Sequence, residues 1–239
     1  MARRGLRIAA TADLHYGKHS RGTLHEAFAE VSNNADILLI CGDLTDYGLP
    51  EEAEALVADL RGAVKVPMLA VLGNHDFESA RAESICKILD DSGIHLLDGE
   101  ATDVAGVGFA GIAGFGGGFG RQMLNAWGEP LIKEFVQESI RHAVRLEQAL
   151  AKLQTDRKVV VLHYSPIRAT LKGENPEIFP FLGSSRLEEP INRFRVNAVF
   201  HGHAHNGILE GKTSTGIPVY NVSAPLLRKT GKPYRVLEL

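Results

Sequence analysis

Five short polar clusters, each closing an apolar run, hold the residues of this chain that could do chemistry. They are Asp13-Leu14-His15, Gly42-Asp43, Gly73-Asn74-His75-Asp76, the lone His163, and Gly202-His203-Ala204-His205. Their donors are carboxylate, amide and imidazole, with no sulfur among them. Such a set suits hard or borderline metal ions. Asp13 and His15 stand two apart, a spacing that on extended chain sends both side chains to one side. His203 and His205 repeat the device. Asn74 and His75 are neighbours, so their side chains are expected to diverge, one toward metal and the other toward substrate. A single Asp-x-His arises often by chance. Five such clusters in one chain, each after an apolar run, are a specific signal.

The donors must be held by something, and the runs before them read as buried strands: 6–10, 37–41, 68–72, 159–162 and 198–200. They are short, branched and nearly continuous in apolar residues. Helical patterns alternate with them near 24–32, from Pro50, across 80–89 and from Pro130 to about Leu153, which predicts βαβ units around a largely parallel sheet. Pro50-Glu51-Glu52 is a helix start, with proline in the first turn and acids at the positive dipole end. Residues 101–104 and 107–112 predict a strand pair around Ala105-Gly106. Residues 187–194 predict a short helix, and 207–210, 217–222 and 234–239 predict tail strands. The segment 164–185 shows few periodic signals. Side chains just past parallel strand ends gather at one edge of an α/β sheet, where such folds place ligands.

With 239 residues, 44% hydrophobic and 23% charged, the chain can bury a sizeable core as one α/β domain spanning 1–239. A net charge of −3 gives no global attraction for nucleic acid or an anionic membrane. The two cysteines, Cys41 and Cys86, form no disulfide framework and read as small core residues. Met1-Ala2-Arg3-Arg4 has the charge of an export signal, but the apolar run after it is broken by Arg7 and ends at Asp13. No targeting segment and no membrane span are expected, and the location predicted is cytoplasmic.

The order Asp-x-His, Gly-Asp, Gly-Asn-His-Asp, lone His, Gly-His-x-His resembles the calcineurin-like metallophosphoesterase superfamily. The resemblance runs from Asp13 to His205, although residues 93–158 contribute no motif. It implies a four-layer α/β/β/α sandwich of two mixed β-sheets flanked by helices. It implies that Asp13, His15, Asp43 and His205 hold a first metal, and that Asn74, His163 and His203 hold a second with Asp43 bridging. His75 would be the catalytic histidine that binds no metal. The stretch from Gly42 to Gly48 also resembles the phosphoprotein-phosphatase Gly-Asp-x-x-Asp-Arg-Gly element, which makes Asp46 the expected partner of His75. Tyr47 stands where that branch has arginine, which argues against protein-phosphatase activity.

The resemblance implies two divalent or trivalent ions per chain, Mn, Fe or Zn first and Ni or Mg also admitted. Ions roughly 3.5–4 Å apart can share and activate an attacking water in an in-line displacement at phosphorus. The expected function is hydrolysis of small phosphodiesters or phosphomonoesters of nucleotide or cyclic-nucleotide type, with long nucleic acid and membranes not expected as partners. A nuclease would need a basic groove that the sequence lacks. A non-catalytic scaffold would be free to lose His75 or several ligands, and none of these positions is missing. Asp76 reads as a capping or supporting acid, and His201 as a histidine whose side chain could share the His203 side. Residues 111–120 permit a tight loop, and Arg121 could clamp a phosphate if that loop borders the site. The basic residues Arg228, Lys229, Lys232 and Arg235 read as solvated charge.

Overall fold

Short runs rich in β-branched apolar residues bury themselves most readily as sheet. The computed structural model describes residues 5–17 and 19–239. The Met1–Arg4 start considered above lies outside them. In chain order the strands are β1 (Arg7–Thr11), β2 (Ile37–Cys41), β3 (Met68–Val71), β4 (Ile94–Leu96), β5 (Glu100–Val104), β6 (Val107–Ile112), β7 (Arg157–Leu162), β8 (Ala198–His201), β9 (Glu210–Lys212), β10 (Pro218–Asn221) and β11 (Arg235–Glu238). The first sheet has the order β11-β1-β2-β3-β4 and the second β5-β6-β7-β8-β10-β9. Strands β1 to β4 are parallel, as are β6, β7, β8 and β10, while β11, β5 and β9 add antiparallel edges.

Strand alternation sorts the side chains into layers. In β2, Ile37, Leu39 and Cys41 pack against the second sheet, while Leu38 and Ile40 pack under helices. In β7, Val159 and Val161 face the first sheet and Val160 and Leu162 face outward. The helices His25–Ala29, Val31–Asn34, Pro50–Ala63 and Ala82–Asp91 cover the first sheet through residues such as Phe28, Leu56, Leu60 and Ile85. Pro130–Lys152 and Glu188–Arg193 cover the second through Leu146, Leu150 and Ile191. The result is the α/β/β/α sandwich expected. Among the described residues no helix is long and apolar enough to cross a membrane.

Several local expectations change. The helix predicted near 24–32 is two short ones divided at Glu30, and the second runs on to Asn34. Strand β4 was not expected, since three residues carry too little alternation to register. The strand predicted over 207–210 begins only at Glu210, after a turn in which Gly207 N donates to the Ala204 carbonyl at 3.2 Å. The segment 164–185 contains 3-10 turns at Arg168–Leu171 and Pro176–Ile178 and a helical turn at Phe179–Leu182.

The inter-sheet core fixes the two halves against each other. Phe109 is fully buried in it, so Phe109→Ala should cost about 3–5 kcal/mol. Urea unfolding should show the loss, whereas Val236→Ala on the exposed face of β11 should stay within about 0.5 kcal/mol.

Candidate metal centre

The carboxyl ends of β1, β2, β3, β7 and β8 meet at one edge of the sandwich, and the loops leaving them are stitched together before any side chain is considered. Asp13 N donates to the Gly42 carbonyl at 2.9 Å, His15 N to the Asp43 carbonyl at 3.1 Å, and Gly202 N to the His163 carbonyl at 3.1 Å. Asp13, His15, Asp43 and His203 all have positive φ, at 55°, 44°, 49° and 68°. The extended geometry expected for Asp13 and His15 is therefore replaced by left-handed bends, a conformation uncommon for residues with a Cβ. Asn74 and His75 likewise sit on a 3-10 turn and not on extended chain.

Carboxylates hold the bends. Both Asp13 oxygens accept from His203 N at 3.0 Å, and Asp43 Oδ1 accepts from His75 N at 2.9 Å. Two glycines permit the approach: a methyl group on Gly42 would overlap the His163 ring, and one on Gly73 would overlap the Asp43 carboxylate.

Eight expected residues converge here. Asp13, His15 and His205 bring donor atoms within 4.8 Å of one another, as do Asp43, His163 and His203, and as do His15, Asp43 and His75. Asn74 joins through Oδ1, 3.0 Å from His163 Nε2. His163 is fully buried, and its Nδ1–H donates to the Cys41 carbonyl at 3.0 Å. Its Nε2 then carries a lone pair, which faces Asn74 Oδ1 and Asp43 Oδ1, the latter at 3.4 Å. Three acceptors pointed at one another are what a bound cation requires. On the other side, His15 Nε2 is buried without a hydrogen bond, 3.8 Å from Asp43 Oδ2. His205 Nε2 is 3.1 Å from Asp13 Oδ1 without the alignment of a hydrogen bond. The donor set fits metal at both places, and Asp43 belongs to both.

The electrostatics follow. Burial works to raise the Asp13 carboxyl, yet contact with His205 and the neighbouring His163 and His203 rings outweigh it and hold the group at about 2. Burial drives His203 down to about 3 and also lowers His15, so both rings keep lone pairs at neutral pH. His203 Nε2–H is tied to the Phe181 carbonyl at 3.2 Å, which leaves Nδ1 as the donor atom. His205 is raised, chiefly by Asp13. His75 is raised too: burial opposes its charge, but the Asp46 carbonyl and the Asp43, Glu78 and Asp46 carboxylates prevail.

Asp46 reaches His75 by an unexpected atom. Its backbone carbonyl accepts from His75 Nδ1–H at 2.7 Å, while its carboxylate lies 3.8 Å from His15 Nδ1. Asp76 is a fully buried clamp, accepting from Gly73 N at 2.8 Å, Thr45 N at 2.9 Å, Thr45 Oγ1 at 2.6 Å and Leu44 N at 3.2 Å. His201 turns to the Gly202 carbonyl and Thr170 Oγ1, at 2.8 and 2.9 Å, and supports the His203 loop from behind. Arg121 is exposed in a separate 3-10 turn; only the start of its loop, Gly114 and Phe115, borders the centre. Tyr164, next in the chain after His163, packs its ring on His163 and His203. Sequence reasoning did not find the carbonyls of Cys41 and Phe181. A carbonyl leaves no mark in a sequence.

The model of the calcineurin-like phosphoesterase family matches residues 6–207. The chain belongs to the calcineurin-like phosphoesterases. This family comprises dinuclear, metal-dependent phosphoric ester hydrolases, in line with the donor clusters above. A search of curated proteins finds no match. Among solved structures, a phosphopantetheinyl hydrolase from Mycobacterium tuberculosis superimposes with a TM-score of 0.70 at 15% identity, covering 98% of this chain and 96% of that one. A protein of Thermus thermophilus gives 0.61 at 17% identity, covering 98% and 99%. GAP50, the anchor in the inner membrane complex of Plasmodium, gives 0.56 at 14%, covering 93% and 73%. At these identities the likenesses show the calcineurin-like fold.

Asp76→Ala should strip four donors of their acceptor. Each buried donor left alone costs about 1–3 kcal/mol, so a fall of at least about 3 kcal/mol is expected in thermal or urea unfolding. Asp76→Asn, which keeps one acceptor oxygen, should lie between the two.

Proposed function

We propose that this chain hydrolyses small phosphodiesters or phosphomonoesters at a centre of two metal ions. The observation that carries the proposal is the position of Asp43 between two donor groups, each with acceptor atoms turned inward. In this reading Asp13, His15, Asp43 and His205 hold the first ion, and Asn74, His163, His203 and Asp43 the second. Bound there, the ions supply Lewis acidity at the phosphoryl group and lower the pKa of the attacking water.

The chain's own residues do the rest. His75 has its Nδ1 proton committed to the Asp46 carbonyl, so Nε2 is the atom left to give a proton to the departing ester oxygen. That hydrogen bond also fixes the plane of the ring. The Asp76 clamp keeps the turn carrying Asn74 and His75 against the Asp43 loop, and thus keeps the proton donor beside the reacting phosphorus. A small substrate is supported by the net charge of −3 and by the name of the phosphopantetheinyl hydrolase. The same reading keeps the expected cytoplasmic location and the single domain spanning 1–239.

Elemental analysis of protein loaded with Mn should approach two ions per chain, and a reproducible plateau at one would falsify the dinuclear reading. Asp43→Asn should deplete both positions, and Asn74→Ala chiefly one.

His75→Ala should keep metal content and melting temperature near wild type while lowering turnover by about 10²–10⁴-fold. The loss should be smaller for a nitrophenyl ester, whose leaving group needs little protonation, than for an alkyl ester. Unchanged turnover of both esters with metals intact would remove His75 from the mechanism.

A further inference from the structure

Two connected cavities lead away from the Asn74 side of the centre. The inner one, about 320 Å³, begins at Asn74 and Tyr164. The outer one, about 530 Å³, reaches Leu96 and Cys86, and Phe77 and Ala113 line both. Phe77 stands two residues after His75 in the same 3-10 turn, with 52% of its surface exposed. The turn that carries the proposed proton donor thus also carries a wall of the cleft.

The charges along this cleft say what it will not take. The outer cavity has three carboxylates, Glu83, Asp98 and Glu138, against one guanidinium, Arg145. Arg145 is held by Asp98 at 2.9 Å, and Glu138 is held by Arg141 and by His142 at 3.0 Å. Burial lowers His142, so it adds no positive charge at neutral pH. A second phosphate here would meet no free cation and a net negative wall. An uncharged carbon chain would instead gain by leaving water. The cavity on the Asp13 side, about 580 Å³, differs in kind: it carries Ser20, Thr23 and Arg228, the last with no ion pair among the described residues.

We propose that the cleft beside Asn74 is the subsite for the alcohol portion of the ester, and that the substrate is a phosphate ester of an uncharged, elongated, largely apolar alcohol. This rests on the phosphoesterase reading and adds the class of group that the site selects.

Cys86 offers a readout independent of turnover, because the other cysteine, Cys41, is fully buried. On the metal-loaded full chain, saturating hexylphosphonate, which cannot be hydrolysed, should slow alkylation of Cys86 by N-ethylmaleimide at least about fivefold by peptide mass mapping. Methylphosphonate should not. In turnover, hexyl phosphate should exceed methyl phosphate in kcat/KM by at least about 10-fold, well inside the roughly 10³-fold that five buried methylenes can supply. Ala82→Trp fills the cleft from the partly exposed first turn of the helix Ala82–Asp91, and should bring that ratio to within about threefold of one. Equal protection by the two phosphonates, or a preference for AMP or phosphocholine over hexyl phosphate, overturns the assignment. 4-Nitrophenyl phosphate separates the two readings. If the loaded protein leaves both it and bis(4-nitrophenyl) phosphate intact, the phosphoesterase reading falls, and the labelling experiment still decides the cleft.

Discussion

Buried carboxylates govern this molecule. Taking an ionised carboxylate out of water costs several kcal/mol unless donors surround it, and Asp13, Asp43 and Asp76 are each almost completely buried. Donors come from other loops: His203 N serves Asp13, His75 N serves Asp43, and Leu44 and Thr45 serve Asp76, to which Gly73 of its own loop adds one more. Each aspartate therefore cross-links two strand ends that are distant in sequence. The left-handed bends at Asp13, His15, Asp43 and His203 are unfavourable one by one, and these hydrogen bonds offset them. Protein hydrogen bonds link these loops, and the acceptor atoms of His163, Asn74 and Asp43 turn toward one another. Such preorganisation is what a precise site needs.

The two sheets share the centre. Asp13, Asp43 and Asn74 follow strands of the first sheet; His163 and His203 follow strands of the second. The Cys41 carbonyl under His163 and the His203 amide on Asp13 cross the seam between them. Donor distances are thus set by how the sheets pack, through residues such as Ile8, Leu39, Phe109 and Phe200. Close-packed interiors transmit displacement instead of absorbing it, so a change deep between the sheets is felt at the centre.

What could be read from the sequence divides by the kind of signal. The strands ahead of Asp13, Asp43, Asn74, His163 and His203 announced themselves as apolar runs, and the donors as rare polar residues at their ends. Alternation around Ala105-Gly106 placed the β5–β6 hairpin, while Ile94–Leu96 was too short to show. Side-chain direction was harder. The shared side of Asp13 and His15 was argued from extended chain, yet φ of 55° and 44° does the work. The partnership of Asp46 with His75 was visible, but the choice of carbonyl over carboxylate was not, because every residue has the same carbonyl. The cleft beside Asn74 is assembled from stretches well separated in the chain, and only tertiary packing brings Cys86, Leu96, Ala113 and His142 to one wall.

Strand β1, which leads into Asp13, lies between β2 and β11, so an early strand is bonded to a late one: Arg7 pairs with Glu238 and Ala10 with Arg235. Synthesis runs from one partner to the other. Until Arg235–Glu238 leaves the ribosome, β1 has an open edge of unpaired N–H and C=O groups beside its donor loop. Open edges invite pairing with other chains, and contacts this far apart in sequence close slowly. The interval of translation between these two strands is therefore the nascent chain's longest exposure to misassembly, and a helper that shields a sheet edge during that interval would protect β1 and the Asp13 loop together.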